Sequence, residues 1–197
     1  MTTLTSAPSF DRAQRVSRAV SIVSSVAMWA TAVAAVAGII ALLFFFDSIR
    51  GVLADHLQQI LASDKIPKAN LADVQAGLTT ALDLSLGKRL ILVVALLFKI
   101  TPVFFVLYYL QTLFAQFAHG QVFTDSNIGH IRMIGTWLVA SVVASLLAQA
   151  ALFQVFAVPE FDFDIQFEPL FYGAITYVAA YVMGEGRRIS DENAGIV

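Results

Sequence analysis

Residues 19–46 carry no charged side chain. A helix needs about 20 consecutive apolar residues to cross the hydrocarbon core of a bilayer, so this run is long enough with several residues to spare. It is too long for the apolar core of a signal peptide, although Arg12, Arg15 and Arg18 precede it. It also closes on Leu42-Leu43-Phe44-Phe45-Phe46 and not on small residues, so it reads as an uncleaved first span. Further apolar runs follow at 89–119, 133–158 and 169–184. Composition agrees: 58% of residues are hydrophobic and 13% charged, where a soluble domain is about half apolar and a quarter charged. The expected fold class is an all-α integral membrane protein with four transmembrane helices.

In chain order, 1–18 is a short N-terminal segment whose first ten residues are read as disordered, and 19–46 is span 1. Ala30, Ala34, Ala37, Gly38 and Ala41 form a small-residue stripe at helical spacing, expected to pack on another span. Residues 47–88 have two apolar stripes at i, i+3, i+4 spacing, broken around Pro67. They read as a connector of two amphipathic helices, lying in the interface or packed as a small cap. Span 2 with an extension is 89–119, the hinge 120–132 and span 3 133–158, with a second small-residue stripe at Ala140, Ala144 and Ala148. An acidic loop, 159–168, precedes span 4 at 169–184, which Gly184 and Gly186 are expected to end. Residues 185–197 form the tail.

Orientation is read from Lys and Arg. Arg12, Arg15, Arg18, Arg132, Arg187 and Arg188 fall on one side of a four-span arrangement, and the loop 159–168 has no basic residue. This puts both termini and the hinge in the cytoplasm and the two connectors outside. Arg50, Lys65, Lys68, Lys88 and Arg89 in the first connector run against the rule, which long connectors obey less strictly.

The hinge contains readable stop and start signals. Gly120 can take the left-handed conformation that ends a helix. Thr124 is suited to cap the next one through its hydroxyl. Asn127 stands where a capping box has Glu or Gln, and Phe123 and Ile128 occupy the positions of a hydrophobic staple. His119 and His130 flank the turn and are expected to be exposed. One reading is a well-made turn only. The other is a cytoplasmic partner surface built from Phe123, Thr124, Asn127, Arg132, Arg187, Arg188, Glu192 and Asn193.

Lys99 is the one charge deep in a span. A charge at mid-bilayer costs about 2.5–3.5 kcal/mol on insertion scales, so Lys99 is expected to face the bundle interior. No acidic residue stands at matching depth in any span. Thr31, Gln149, Thr176 and Tyr177 are placed to offer it oxygens, and Pro102 removes a backbone donor three residues on. Lys99 is then a site for an anionic ligand, a proton step or an acidic partner span. Alternatively it is a structural lysine, satisfied by those oxygens or carried neutral.

The chain has no cysteine and three scattered histidines, His56, His119 and His130, which leaves no metal site to propose. No Gly-rich phosphate loop, nucleophile elbow, zinc helix or paired carboxylates occur, so neither a cofactor nor an enzyme is expected. The net charge of −2, without a polybasic block, gives no reason to expect direct nucleic-acid binding.

Gly120-Gln121-Val122-Phe123-Thr124, Asn127, Ile131-Arg132 and Ile134-Gly135, with the ending from Gly186 through Glu192-Asn193 to Val197, resemble a bacterial family of small four-span membrane proteins of unknown function. The resemblance is best over 90–197. It implies four helices in the bacterial inner membrane. Because members are often encoded beside a short helix-turn-helix regulator, it also implies a regulatory partner. It supplies no catalytic residue and does not extend to Lys99. Together these readings give a non-enzymatic regulatory or accessory membrane protein that binds a partner through hinge and tail. The alternative is an oligomeric small transporter or channel subunit using Lys99.

Overall fold

The computed structural model describes residues 8–46, 85–156 and 167–194. All regular structure among them is helical: α1 (Pro8–Ile40), which runs on into a π-helical segment (Ala41–Phe45), α2 (Leu86–Ala118), α3 (Asp125–Phe156) and α4 (Glu168–Ala194). Over Arg12–Phe45, Leu86–Ala118 and Asp125–Val155 these helices are long and apolar enough to cross a membrane, which marks the chain as a membrane protein. The expected fourth span lies within α4, which does not reach that combination of length and apolarity. Glu168 and Glu185 bracket its apolar stretch, and Tyr172, Tyr177, Tyr181 and Gly173 dilute it. The connector to residue 84 and most of the acidic loop fall outside the described residues.

Small residues supply much of the packing: Ala35, Ala95, Ala144, Ala148 and Ala180 are buried, beside larger residues such as Leu113, Ile128 and Val155, while Trp29, Val33, Phe44, Val143 and Phe171 are exposed. Lipid tails are as apolar as a leucine side chain, so large residues gain little by turning inward, and close backbone approach favours small ones. The α3 stripe packs accordingly, with Ala144 and Ala148 buried and Ala140 half-buried. On α1 the expected stripe is packed only in part, at Gly38 and Ala41. Ala30, Ala34 and Ala37 are exposed, and the face that turns inward runs through Ser24, Met28, Thr31, Ala35 and Gly38.

The helices divide into two compact units. The first takes in α1 to Val33, α2 from Lys99, α3 to Leu146 and α4. Its core is Leu113, Ile128, Ile131, Ile134 and Ala180, with Tyr109, Phe117, Leu138 and Met183 against them. Ser21 Oγ donates to the Gln111 carbonyl at 3.2 Å, tying α1 to α2. Phe105 and Trp137 stack with ring centroids 4.3 Å apart. Where α3 crosses α4, Gly135 and Gly173 face each other: a Cβ on Gly173 would lie 2.9 Å from Val139 Cγ2, and one on Gly135 3.2 Å from the Gly173 carbonyl oxygen. Thr136 and Tyr177 share a hydrogen bond of 2.6 Å one turn away.

The second unit holds the remainder of α1 with its π segment, α2 to Phe98 and α3 from Leu147. Here Gly38 admits Leu96 at 3.4 Å from its would-be Cβ, and the Arg89 guanidinium lies 4.9 Å over the Phe46 ring. Ser85 caps α2: its hydroxyl accepts from the Lys88 N–H at 3.5 Å and its carbonyl from the Arg89 N–H at 3.0 Å.

Candidate functional site

The hinge is built almost wholly from local chemistry. Gly120 sits at φ 78°. Its N–H donates to the Phe117 carbonyl at 3.0 Å, and the Gln121 N–H donates to the Gln116 carbonyl at 3.1 Å. This pair of bonds is the Schellman arrangement that closes a helix end. Thr124 then caps α3, its Oγ1 accepting from the Asn127 N–H at 3.2 Å. The turn proper ends there: residues 125–132, expected as part of the hinge, are the first two turns of α3.

Asn127 does more than the weak capping role its position suggested. It is 0% exposed. Its Nδ2 donates back into the turn, to the Gln121 carbonyl at 2.5 Å and the Val122 carbonyl at 3.0 Å. Two carbonyls of an irregular segment thereby find a donor outside any helix. Asn127 is thus a structural anchor, and its burial takes it off the surface where sequence reasoning had put it. Phe123 departs from expectation too. It is 61% exposed while Ile128 is 7% exposed, so the staple does not form, and Ile128 packs instead with Leu113 and Ile131. His119 is exposed, its Nδ1 2.7 Å from the Ala115 carbonyl. His130 is half-buried beside Tyr109, with ring centroids 5.9 Å apart, and is not exposed as expected.

The tail is a continuation of α4. Gly184 and Gly186 do not end the helix, which runs on to Ala194. Each mid-helix glycine costs up to about 1 kcal/mol relative to alanine, and the charges beyond them offset this. Arg188 pairs with Glu185 at 2.5 Å and Glu192 at 3.5 Å, and Arg187 pairs with Asp191 at 3.6 Å, all at i,i+3 or i,i+4 spacing. Arg187 also pairs across to Asp125 in the first turn of α3, where an acidic residue suits the positive end of the helix dipole. From the other side, Gln116 near the end of α2 donates to Ser126 Oγ at 3.2 Å.

Hinge and tail therefore meet. Between the start of α3 and the end of α4 lies an open cleft of about 450 Å³, lined by Asp125, Gly129, Arg132, Gly184, Arg187, Arg188 and Asp191 with Ile128. Of the expected partner surface, the structure brings Arg132, Arg187 and Arg188 together here. Glu192 is exposed beside Arg188, and Asn193 is exposed. Sequence reasoning missed Asp125, Asp191 and the two lining glycines. The signal for the first two was present, as an acid in a first helical turn and an Arg–Asp pair four apart.

The expected intramembrane polar site does not assemble around Lys99. Lys99 is exposed on α2, not enclosed. Thr31 donates its hydroxyl to the Ala27 carbonyl at 2.8 Å, and Thr176 donates to that of Tyr172 at 2.7 Å. The Tyr177 hydroxyl is engaged with Thr136. Gln149 is half-buried. Among the described residues no three His, Cys, Asp or Glu side chains are grouped to hold a metal ion.

No protein-family model, curated protein or solved structure matches the chain.

Proposed function

We propose that the chain is a four-span protein of the bacterial inner membrane, with both termini cytoplasmic, acting as a non-enzymatic regulatory or accessory protein. Its hinge and tail form one surface that binds a protein partner. The observation that carries this reading is the Asp125–Arg187 ion pair, which holds the last turns of α4 against the first turn of α3 and makes two distant stretches of sequence into a single charged face. The fourth span in this reading is 169–184, the apolar stretch of α4. The resemblance of the hinge and ending to a family encoded beside helix-turn-helix regulators suggests such a regulator as the partner.

Photocrosslinking in native membranes tests the reading. A crosslinker at Asn193 or Gln121 is expected to capture one protein in stoichiometric yield, and Arg187→Glu is expected to abolish the capture while the protein still inserts. Self-crosslinks alone, or the same products from a crosslinker at exposed Phe171, would reject it.

Exposed Lys99 favours a second reading, an oligomeric transporter or channel subunit in which neighbouring copies cover this charge. Lys99→Met should then abolish solute flux in reconstituted vesicles, and unchanged flux would dismiss the idea.

A further inference from the structure

The cleft between α3 and α4 has the features of an anion site. Arg132 precedes the apolar part of α3, which begins at Met133, and Arg187 and Arg188 follow the apolar part of α4, which ends at Met183. The Asp125–Arg187 pair and the Gly135–Gly173 crossing set these two helix segments side by side. Three guanidinium groups thus gather where apolar helix gives way to polar, the level of lipid headgroups. The space exists because two lining positions have no side chain. A Cβ built on Gly129 meets nothing within 4 Å, and one on Gly184 meets only Ile128 at 4.0 Å.

The lining has three arginines and two aspartates, and Glu185 and Glu192 also pair with Arg188, so the attraction for an anion rests on Arg132. Arg187 and Arg188 are already engaged by carboxylates, whereas no carboxylate pairs with exposed Arg132 among the described residues. A guanidinium has five N–H donors in a planar fork, so even the paired arginines keep donors for an incoming ligand. Groups with several anionic oxygens match such forks best, and phosphate is the common one at a membrane surface. Two turns before Arg188 on the same side of α4, Tyr181 is exposed at 69%, an apolar flank for an acyl chain.

We propose that this cleft binds a phosphate-bearing anion, as the headgroup of an anionic phospholipid, with Arg132 as the main donor and Arg187 and Arg188 as supporting ones. The site shares a face with the partner surface proposed above but does not rest on it. It is tested on purified protein with no partner present, so either idea can fail alone.

The experiment is native mass spectrometry of the purified full-length protein with phosphatidylglycerol or phosphatidylcholine, beside calorimetry with inorganic phosphate and glycerol 3-phosphate. The variants are Arg132→Gln and Gly129→Leu. The second adds a side chain at a lining position where a Cβ meets nothing within 4 Å, so it obstructs the site. Phosphatidylglycerol is expected to bind in preference to phosphatidylcholine, with about tenfold weaker binding in either variant, as for loss of one charge-assisted contact. If instead the soluble phosphates bind, the variants abolish that binding and neither lipid is preferred, the phosphate chemistry stands and its source is soluble. Equal binding of both lipids with no phosphate response, or a lipid preference unchanged in both variants, overturns the proposal.

Discussion

Asp125, in the first turn of α3, is ion-paired with Arg187 in the last turns of α4. The two residues are far apart in sequence, and each is near a helix end that the membrane-crossing part of the chain does not need. Their pairing joins the hinge to the tail. Asp125 is 84% exposed and Arg187 32%, so the pair contributes about 0.5 kcal/mol at most sites of this kind and acts chiefly as a register.

Reversing both charges should recover part of that register. Asp125→Arg alone should loosen the tail, and adding Arg187→Asp should restore it in part, because the reversed pair sets Asp beside Asp191 and Arg at the positive end of the α3 dipole. The chain has no cysteine, so spin labels on cysteines introduced at Ser126 and Ile189 report the change as a distance distribution. A distribution indifferent to either single reversal would show that the pair does not hold the tail.

Asn127→Leu should destabilise the protein by about 2 kcal/mol, because the carbonyls of Gln121 and Val122 each lose a hydrogen bond. Unfolding of purified protein in mixed micelles measures this. Thr124→Ala, which removes only the cap, should cost less, about 1 kcal/mol. If Asn127→Leu proves the milder of the two, its bonds into the turn do not matter as described.

At the α3–α4 crossing, Gly173→Ala places a methyl 2.9 Å from Val139 Cγ2. Overpacking of this kind costs about 1–3 kcal/mol. Val139→Ala should relieve the nearer contact but not the one to the Gly135 carbonyl oxygen at 3.2 Å, so the double variant should recover part of the stability lost in Gly173→Ala. Gly135→Ala meets the Gly173 carbonyl at 3.2 Å and the Tyr177 ring at 3.1 Å, and Val139→Ala should not rescue it. Thermal stability in detergent separates the two cases; rescue of both variants, or of neither, contradicts the crossing.

These features were unequally legible in the sequence. Gly120 and Thr124 do their work within one turn of themselves, so their residue types sufficed to place them. The duty of Asn127 depends on the carbonyls of Gln121 and Val122 folding inward, which spacing does not disclose. The run of α4 through Gly184 and Gly186 was hidden because a glycine's cost is visible and the ion pairs that offset it are not counted by hydropathy. The small-residue stripe of α3 marked the face that packs. On α1, however, alanine and glycine occur on more than one face, and the buried face proved to be that of Ser24, Met28 and Ala35. Lys99 was expected inside because a charge avoids lipid, yet that argument says only that it needs cover, not that its own chain supplies it. The cleft needed residues 125–132 and 184–191 to be brought together, and no local pattern links them.

The most direct measurement of the central claim is the side of the membrane on which hinge and tail stand. Single cysteines at Gln121, Asn193 and Asp162 can be labelled with a membrane-impermeant thiol reagent in intact spheroplasts and in inverted vesicles. The account predicts that Gln121→Cys and Asn193→Cys react only in inverted vesicles and Asp162→Cys only in spheroplasts. Labelling of Asn193→Cys from the side opposite to Gln121→Cys would separate hinge from tail and contradict it.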